Sequence, residues 1–199
     1  TRIKADLLVE LAAERVGPPT ALAFLDVGCG PGETDSLLAG RVGRLAGVDV
    51  SAPMVAQARR ANPWAEYRDY ASGDPIPFDD RSFDVCFAIC VLHHVTPPHR
   101  LALIEEMKRV CRPGGLLAVL EHNPFNPLTR RAVRGCEFDR DAELLSRRSA
   151  SSLLAAAGLA PRGRYIEFFP RPSALLRRVE ARLGWLPLGA QYAVFANRP

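Results

Sequence analysis

Lysine is almost missing from this chain of 199 residues: Lys4 and Lys108 aside, all of its 26 cationic side chains are arginine. Such a skew reflects codon usage more readily than phosphate binding, so the arginine count is no argument for a nucleic-acid partner. Long apolar runs are missing too. None approaches the ~18 residues of a membrane-crossing helix, and no charged-then-apolar leader opens the chain. The five cysteines, Cys29, Cys86, Cys90, Cys111 and Cys136, are odd in number and lack the paired short spacing of a zinc finger or a secreted disulfide framework. A cytoplasmic protein in a reducing compartment is expected. Low-complexity tracts are also lacking, and 48% apolar with 24% charged residues excludes disordered and fibrous classes.

What is present suits one domain over residues 1–199. The net charge of +4 is unevenly spread: residues 1–125 hold 13 Lys and Arg against 16 Asp and Glu, residues 126–199 hold 13 against 6. A basic C-terminal portion favours an anionic substrate by raising its local concentration.

Apolar residues at helical spacing (Ile3, Leu7, Leu8, Leu11, Ala12) open the chain and stop at Gly17-Pro18-Pro19. Ala21 to Val27 then reads as a strand, Gly28-Cys29-Gly30-Pro31-Gly32 as a loop, and Glu33 to Ala39 as a helix. The alternation continues with a strand at Arg44 to Val50, a helix from Ser51 to about Ala61, and a strand at Trp64 to Tyr70. Phe83 to Ile89 is apolar enough for a strand covered on both faces. Thr96-Pro97-Pro98 starts a helix that Arg112-Pro113-Gly114-Gly115 stops, and Leu116 to Leu120 is the fifth strand. Asn126-Pro127 begins a short helix to about Arg134, inside an insertion over 123–148. Ser149 is expected to cap a helix ending at Gly158. Arg164 to Phe169 and Tyr192 to Ala196 are the last strands, with a helix, Ser173 to Leu183, in a second insertion over 170–189. This pattern implies an α/β, doubly wound, mainly parallel sheet whose ligand lies at the carboxyl ends of the strands.

Three glycines two residues apart directly after an apolar strand let backbone pass close to a ligand, with amides presented to it. Asp49 ends the second strand, 21 positions beyond Gly28, where a carboxylate accepts both ribose hydroxyls. A dinucleotide fingerprint would keep a third glycine where this chain has Glu33, and a carboxylate at a helix start repels a diphosphate. A ligand with a ribose and a cationic end fits better.

At these residues the chain resembles the class I S-adenosylmethionine-dependent methyltransferases. The resemblance spans roughly residues 20–122: LDVGCGPG, GVDVS, IPFDDRSFDVCFA, VLHHV and RPGGLLAVLEHNP, in that order. It implies a Rossmann-like, seven-stranded sheet closed by an antiparallel C-terminal strand, and S-adenosyl-L-methionine as cofactor. It also implies site roles. Gly28, Cys29, Gly30 and Gly32 would cradle the methionine part, with Asp26 orienting the loop. Asp49 would hold the ribose, and Val50, Ser51 and Met54 would border the adenine. Cys90 would offer its carbonyl to the ammonium group. Where many members carry an acidic residue for the adenine amine, this chain has Tyr70-Ala71-Ser72-Gly73. The EHNP-type segment resembles a bacterial subgroup.

Methyl transfer is an in-line displacement, so the site mainly aligns the nucleophile and excludes water. A hydroxyl nucleophile must lose a proton, and histidine is best placed to take it. His122, His93 and His94 are the candidates, with Glu121 as orienting partner of His122 or a second substrate ligand, and Gln191 or Tyr192 at the same rim. His99 is read as solvated. No metal is expected, because His93, His94, Glu121 and His122 include no pair at helical or short-loop ligand spacing. The expected reaction is methylation of oxygen or nitrogen on a small acceptor, anionic, sugar-linked or lipid-linked. A non-catalytic cofactor-binding protein and a nicotinamide-dependent oxidoreductase remain as alternatives. A truncated amino end and an open cofactor site are expected from the short segment before the glycine loop.

Overall fold

Seven strands form one sheet in the computed structural model, which describes residues 2–139, 142–169, 176, 179, 180 and 182–199. They are β1 (Ala23–Val27), β2 (Arg44–Asp49), β3 (Glu66–Asp69), β4 (Phe83–Ile89), β5 (Cys111–His122), β6 (Arg162–Ile166) and β7 (Gln191–Asn197). Their order is β3-β2-β1-β4-β5-β7-β6. All neighbours pair in parallel except β7, which runs antiparallel to β5 and β6. The winding reverses between β1 and β4, and a crevice at their carboxyl ends follows from that reversal.

Alternating side chains of the central strands feed two cores. Leu25, Val27, Cys86, Ala88, Leu117 and Val119 point to one face, where α3 (Pro97–Val110) supplies Ile104 and Met107 and α5 (Arg147–Ala156) supplies Ala150 and Leu154. Phe24, Val85, Phe87, Leu116, Ala118 and Leu120 point to the other, covered by Leu8, Leu11 and Ala12 of α1 (Arg2–Arg15). Leu8 and Leu11 are almost wholly buried, which stabilises the docking of α1 by about 1.5–3 kcal/mol each. The helices α2 (Ala52–Ala61) and α4 (Pro127–Arg134) complete the set. α4 begins where expected: Asn126 Oδ1 accepts from the amides of Leu128 and Thr129.

Three elements depart from expectation. Residues 33–39 make only one 3-10 turn, Asp35–Leu37, instead of a helix. Asp35 is turned inward to the Tyr67 hydroxyl (2.7 Å), and Gly40 at φ 70° reverses the chain towards β2. The loop therefore has no helix N-terminus behind it. α5 is capped three residues earlier than expected, by Ser146, whose hydroxyl accepts from the Ser149 amide at 3.0 Å, so Ser149 lies inside the first turn. β6 stops at Ile166 rather than Phe169, since Glu167 at φ 59° breaks the extended run. The expected helix Ser173–Leu183 lies largely outside the described residues. Among the described residues, no helix is long and apolar enough to cross a membrane.

Candidate active site at the switch point

The loop after β1 is tied down from both sides. Val48 O accepts from the amides of Gly28 (2.7 Å) and Cys29 (3.0 Å). A Cβ on Gly28, which has φ 78°, would lie 2.4 Å from Val91, so this glycine is required for close approach to the β4 exit. Gly30, at φ 51°, has nothing within 4 Å of such a Cβ: its outer side is open. Gly32 is fixed from behind, its carbonyl accepting from Asn62 Nδ2 at 2.9 Å. Cys29 is buried against Val55, Ala58 and Tyr67, a packing position.

Asp49 grips this loop. Its Oδ2 accepts from Gly30 N and its Oδ1 from Ser51 N, both at 2.8 Å. Each carboxylate oxygen retains a further acceptor site. Beside it Val50 is 57% exposed, an apolar face at the rim. Ser51 and Met54 follow in sequence and are half-buried; Tyr70, just past β3 and also half-buried, is brought alongside by its amide donating to the Asp49 carbonyl at 3.3 Å, and Ala71 is exposed. Asp26 and Asp35 are buried, and Oδ1 of each has no hydrogen-bond partner among the described residues. Burial, reinforced by Asp35 and Asp49, holds the Asp26 carboxyl well above the usual carboxylate range, while burial lifts Asp35 to about 6.

Across the switch point, Glu121 organises the exit of β4. Its Oε1 accepts from Val91 N (2.9 Å) and Leu92 N (2.7 Å), and its Oε2 lies 2.6 Å from His93 Nδ1. The expectation that Glu121 orients His122 is thereby corrected. Adjacent strand residues point to opposite faces, and the carboxylate meets His93 instead. His122 is half-buried with its Nδ1 3.2 Å from Gln191 Nε2, and its ring centroid is 5.3 Å from that of His93. Burial and the neighbouring His93 lower the pKa of His122. His94 is exposed, and burial of its inner edge together with His93 lowers it as well. Burial alone would lower His93, but the hydrogen bond and charge of Glu121, with Asp139 behind, raise it.

Cys90 sits at φ 58°, a strained turn for a residue with a Cβ, at the strand-four exit. Burial pushes its thiol up to about 12, so it is no thiolate nucleophile at neutral pH. Tyr192 does not reach the rim: it is fully buried and donates to Leu145 O at 2.9 Å. His99 is exposed, 2.7 Å from Thr96 Oγ1.

Sequence reasoning missed Lys4, whose Nζ lies 3.8 Å from Cys90 Sγ and brings a cation to the β4 end. Its rarity as one of two lysines was the available signal. It also missed Asp139, 3.4 Å from His93 Nε2 and 3.3 Å from His94 Nε2, which lies in a polar stretch with no periodicity.

Residues 25–119 match the family model described as a methyltransferase domain. The chain is 33% identical over 180 residues to a trans-aconitate 2-methyltransferase of Azoarcus sp., covering 85% of this chain and 66% of that protein. It is 39% identical over 138 residues to a trans-aconitate 2-methyltransferase of Methylobacterium nodulans, covering 67% and 49%. The chain thus spans between half and two thirds of the length of these relatives. A SAM-dependent methyltransferase structure from Thermotoga maritima superposes with a TM-score of 0.70 at 20% identity, covering 100% of this chain and 91% of that one. Residues 25–119 thus match a methyltransferase domain, and the whole chain has the fold of the S-adenosylmethionine-dependent methyltransferases.

Proposed function

We propose that this chain methylates oxygen or nitrogen of a small anionic acceptor held at the ends of β4 and β5. The observation that carries the reading is the meeting of an open, aspartate-lined loop and an imidazole cluster at one topological switch point.

The residues of the loop fit the cofactor. The open side of Gly30, the orphaned Oδ1 atoms of buried Asp26 and Asp35, the spare acceptor sites of Asp49 and the exposed apolar face of Val50 suit, in turn, the methionine backbone, a positive group, a ribose and a flat base. Gly28, Cys29 and Gly32 would shape that cradle, Cys90 at the exit of β4 would offer its carbonyl, and Ser51, Met54, Tyr70 and Ala71 would border the base. A dinucleotide fits poorly, because the Asp49 carboxylate grips the loop and, among the described residues, no α-helix follows the loop to offer its amides to a pyrophosphate. Bound S-adenosylmethionine supplies an electrophilic sulfonium methyl.

The chain's own residues act on the acceptor. Lys4 supplies a positive charge for an anionic group, in keeping with the tricarboxylate named in two relatives. His122, kept neutral by burial, takes the proton of a hydroxyl or amine; a carboxylate acceptor needs no base, and His122 then binds it. Glu121 is a positioning residue for the Val91–His93 turn, and His93 and His94 line the acceptor side. We predict that His122→Ala lowers kcat on a hydroxyl or amine acceptor by about 100-fold while S-adenosylhomocysteine binding stays within about twofold. Release of S-adenosylhomocysteine with a panel of carboxylate, hydroxyl and amine acceptors is the assay. An unchanged kcat returns His122 to packing, and binding without turnover on any acceptor favours a non-catalytic binder.

A further inference from the structure

We propose that His93 Nε2, His94 Nε2 and Asp139 Oδ1 form a site for one divalent transition-metal ion on the acceptor side of the crevice. The three atoms lie within 4.8 Å of one another. Asp139 Oδ1 stands 3.4 Å from His93 Nε2 and 3.3 Å from His94 Nε2. Ligand bonds of about 2.0–2.1 Å in tetrahedral geometry separate ligand atoms by about 3.3–3.4 Å, so two edges already have the length a bound ion sets.

The tautomer argues the same way. Glu121 Oε2, 2.6 Å away, accepts from Nδ1–H of His93, so Nε2 is the ring nitrogen left to face the Asp139 carboxylate. In the metal-free chain a proton on Nε2 meets this oxygen, and a metal ion would take its place. The pair of Glu121 and His93, each 1% exposed at the side chain, is the carboxylate–histidine arrangement that fixes ring orientation and raises ligand basicity. Leu92 N and Val91 N hold the carboxylate in turn, so the ring cannot swing away.

The donor set selects the ion. Two imidazoles and one carboxylate suit Zn²⁺, Co²⁺ or Fe²⁺ and disfavour Mg²⁺ and Ca²⁺, which prefer all-oxygen cages. His94 is 44% exposed at its side chain, so the site opens to solvent on one side and leaves a coordination position free for water or an anionic ligand. Sequence spacing could not reveal this, since Asp139 comes from a separate 3-10 turn, Glu137–Asp139, brought over the β4 exit by Glu143 N donating to His93 O at 2.9 Å. The proposal is independent of methyl transfer: metal binding stands or falls without any acceptor.

The test is equilibrium dialysis of the chelator-stripped chain against Co²⁺ and Zn²⁺, with metal content and the visible spectrum of the Co²⁺ form. One equivalent is expected, with ligand-field bands of a nitrogen–oxygen site. Asp139→Asn and His94→Asn should each weaken binding tenfold or more, without changing the melting temperature of the metal-free chain. His94→Asn covers the case in which the Asp139 variant fails to fold. Substoichiometric metal, affinity unchanged in either folded variant, or an intense thiolate-to-cobalt band from Cys90 or Cys136 would overturn the proposal.

Discussion

The loop side of the switch point presents Asp26, Asp35 and Asp49, whereas the strand-end side presents His93, His94 and His122 with Lys4 behind them. The first is rich in carboxyl groups and built largely from backbone held in left-handed turns; the second is nitrogen-rich and built from side chains around one buried carboxylate. Under the proposed function, a cationic sulfonium and an anionic acceptor would be complementary to these halves respectively. The comparison teaches that charge sorting across the β1/β4 crevice can bring a methyl donor and its acceptor together without any one residue having to touch both.

The comparison breaks first at Glu121. Glu121→Ala removes the acceptor of two backbone amides and the partner of a buried imidazole, so we predict a loss of about 3–5 kcal/mol in urea unfolding. A loss under about 1 kcal/mol would show that the imidazole side needs no carboxylate anchor.

The loop side should respond with the opposite sign. Burial raises the folded pKa of Asp35 to about 6, above that of an ordinary carboxyl, so the native state holds more proton than the unfolded chain between those two values. Stability is then fullest below the unfolded pKa and is lost as pH rises through the folded one. We predict that Asp35→Asn, which still accepts from Tyr67, stabilises the chain by about 1–2 kcal/mol at pH 8 and by almost nothing at pH 4. Melting curves across pH read this directly. A variant less stable at pH 8 would mean that the aspartates are not in tension.

Much of this was legible in the sequence because it is periodic or punctuated. β4 and α4 fell where an apolar run and an Asn-Pro pair placed them, and the glycine triplet with Asp49 marked the crevice. What failed was tertiary. Residues 33–39 have helical composition, yet the bond from Asp35 to Tyr67 and the reversal at Gly40 override it. Glu121 was paired with the wrong histidine because sequence adjacency says nothing about which side of a strand meets the neighbouring loop. Asp139 carried no local pattern at all.

Under the proposed function, the loop between β1 and the 3-10 turn holds the donor through Asp49. Calorimetric titration of S-adenosylhomocysteine into the chain and into Asp49→Ala, with NAD⁺ as the competing ligand, puts this to the test. One saturable site is expected, weakened in the variant by about 1–3 kcal/mol, with no saturable binding of NAD⁺. Equal affinity in both proteins, or preferential binding of the dinucleotide, would contradict it.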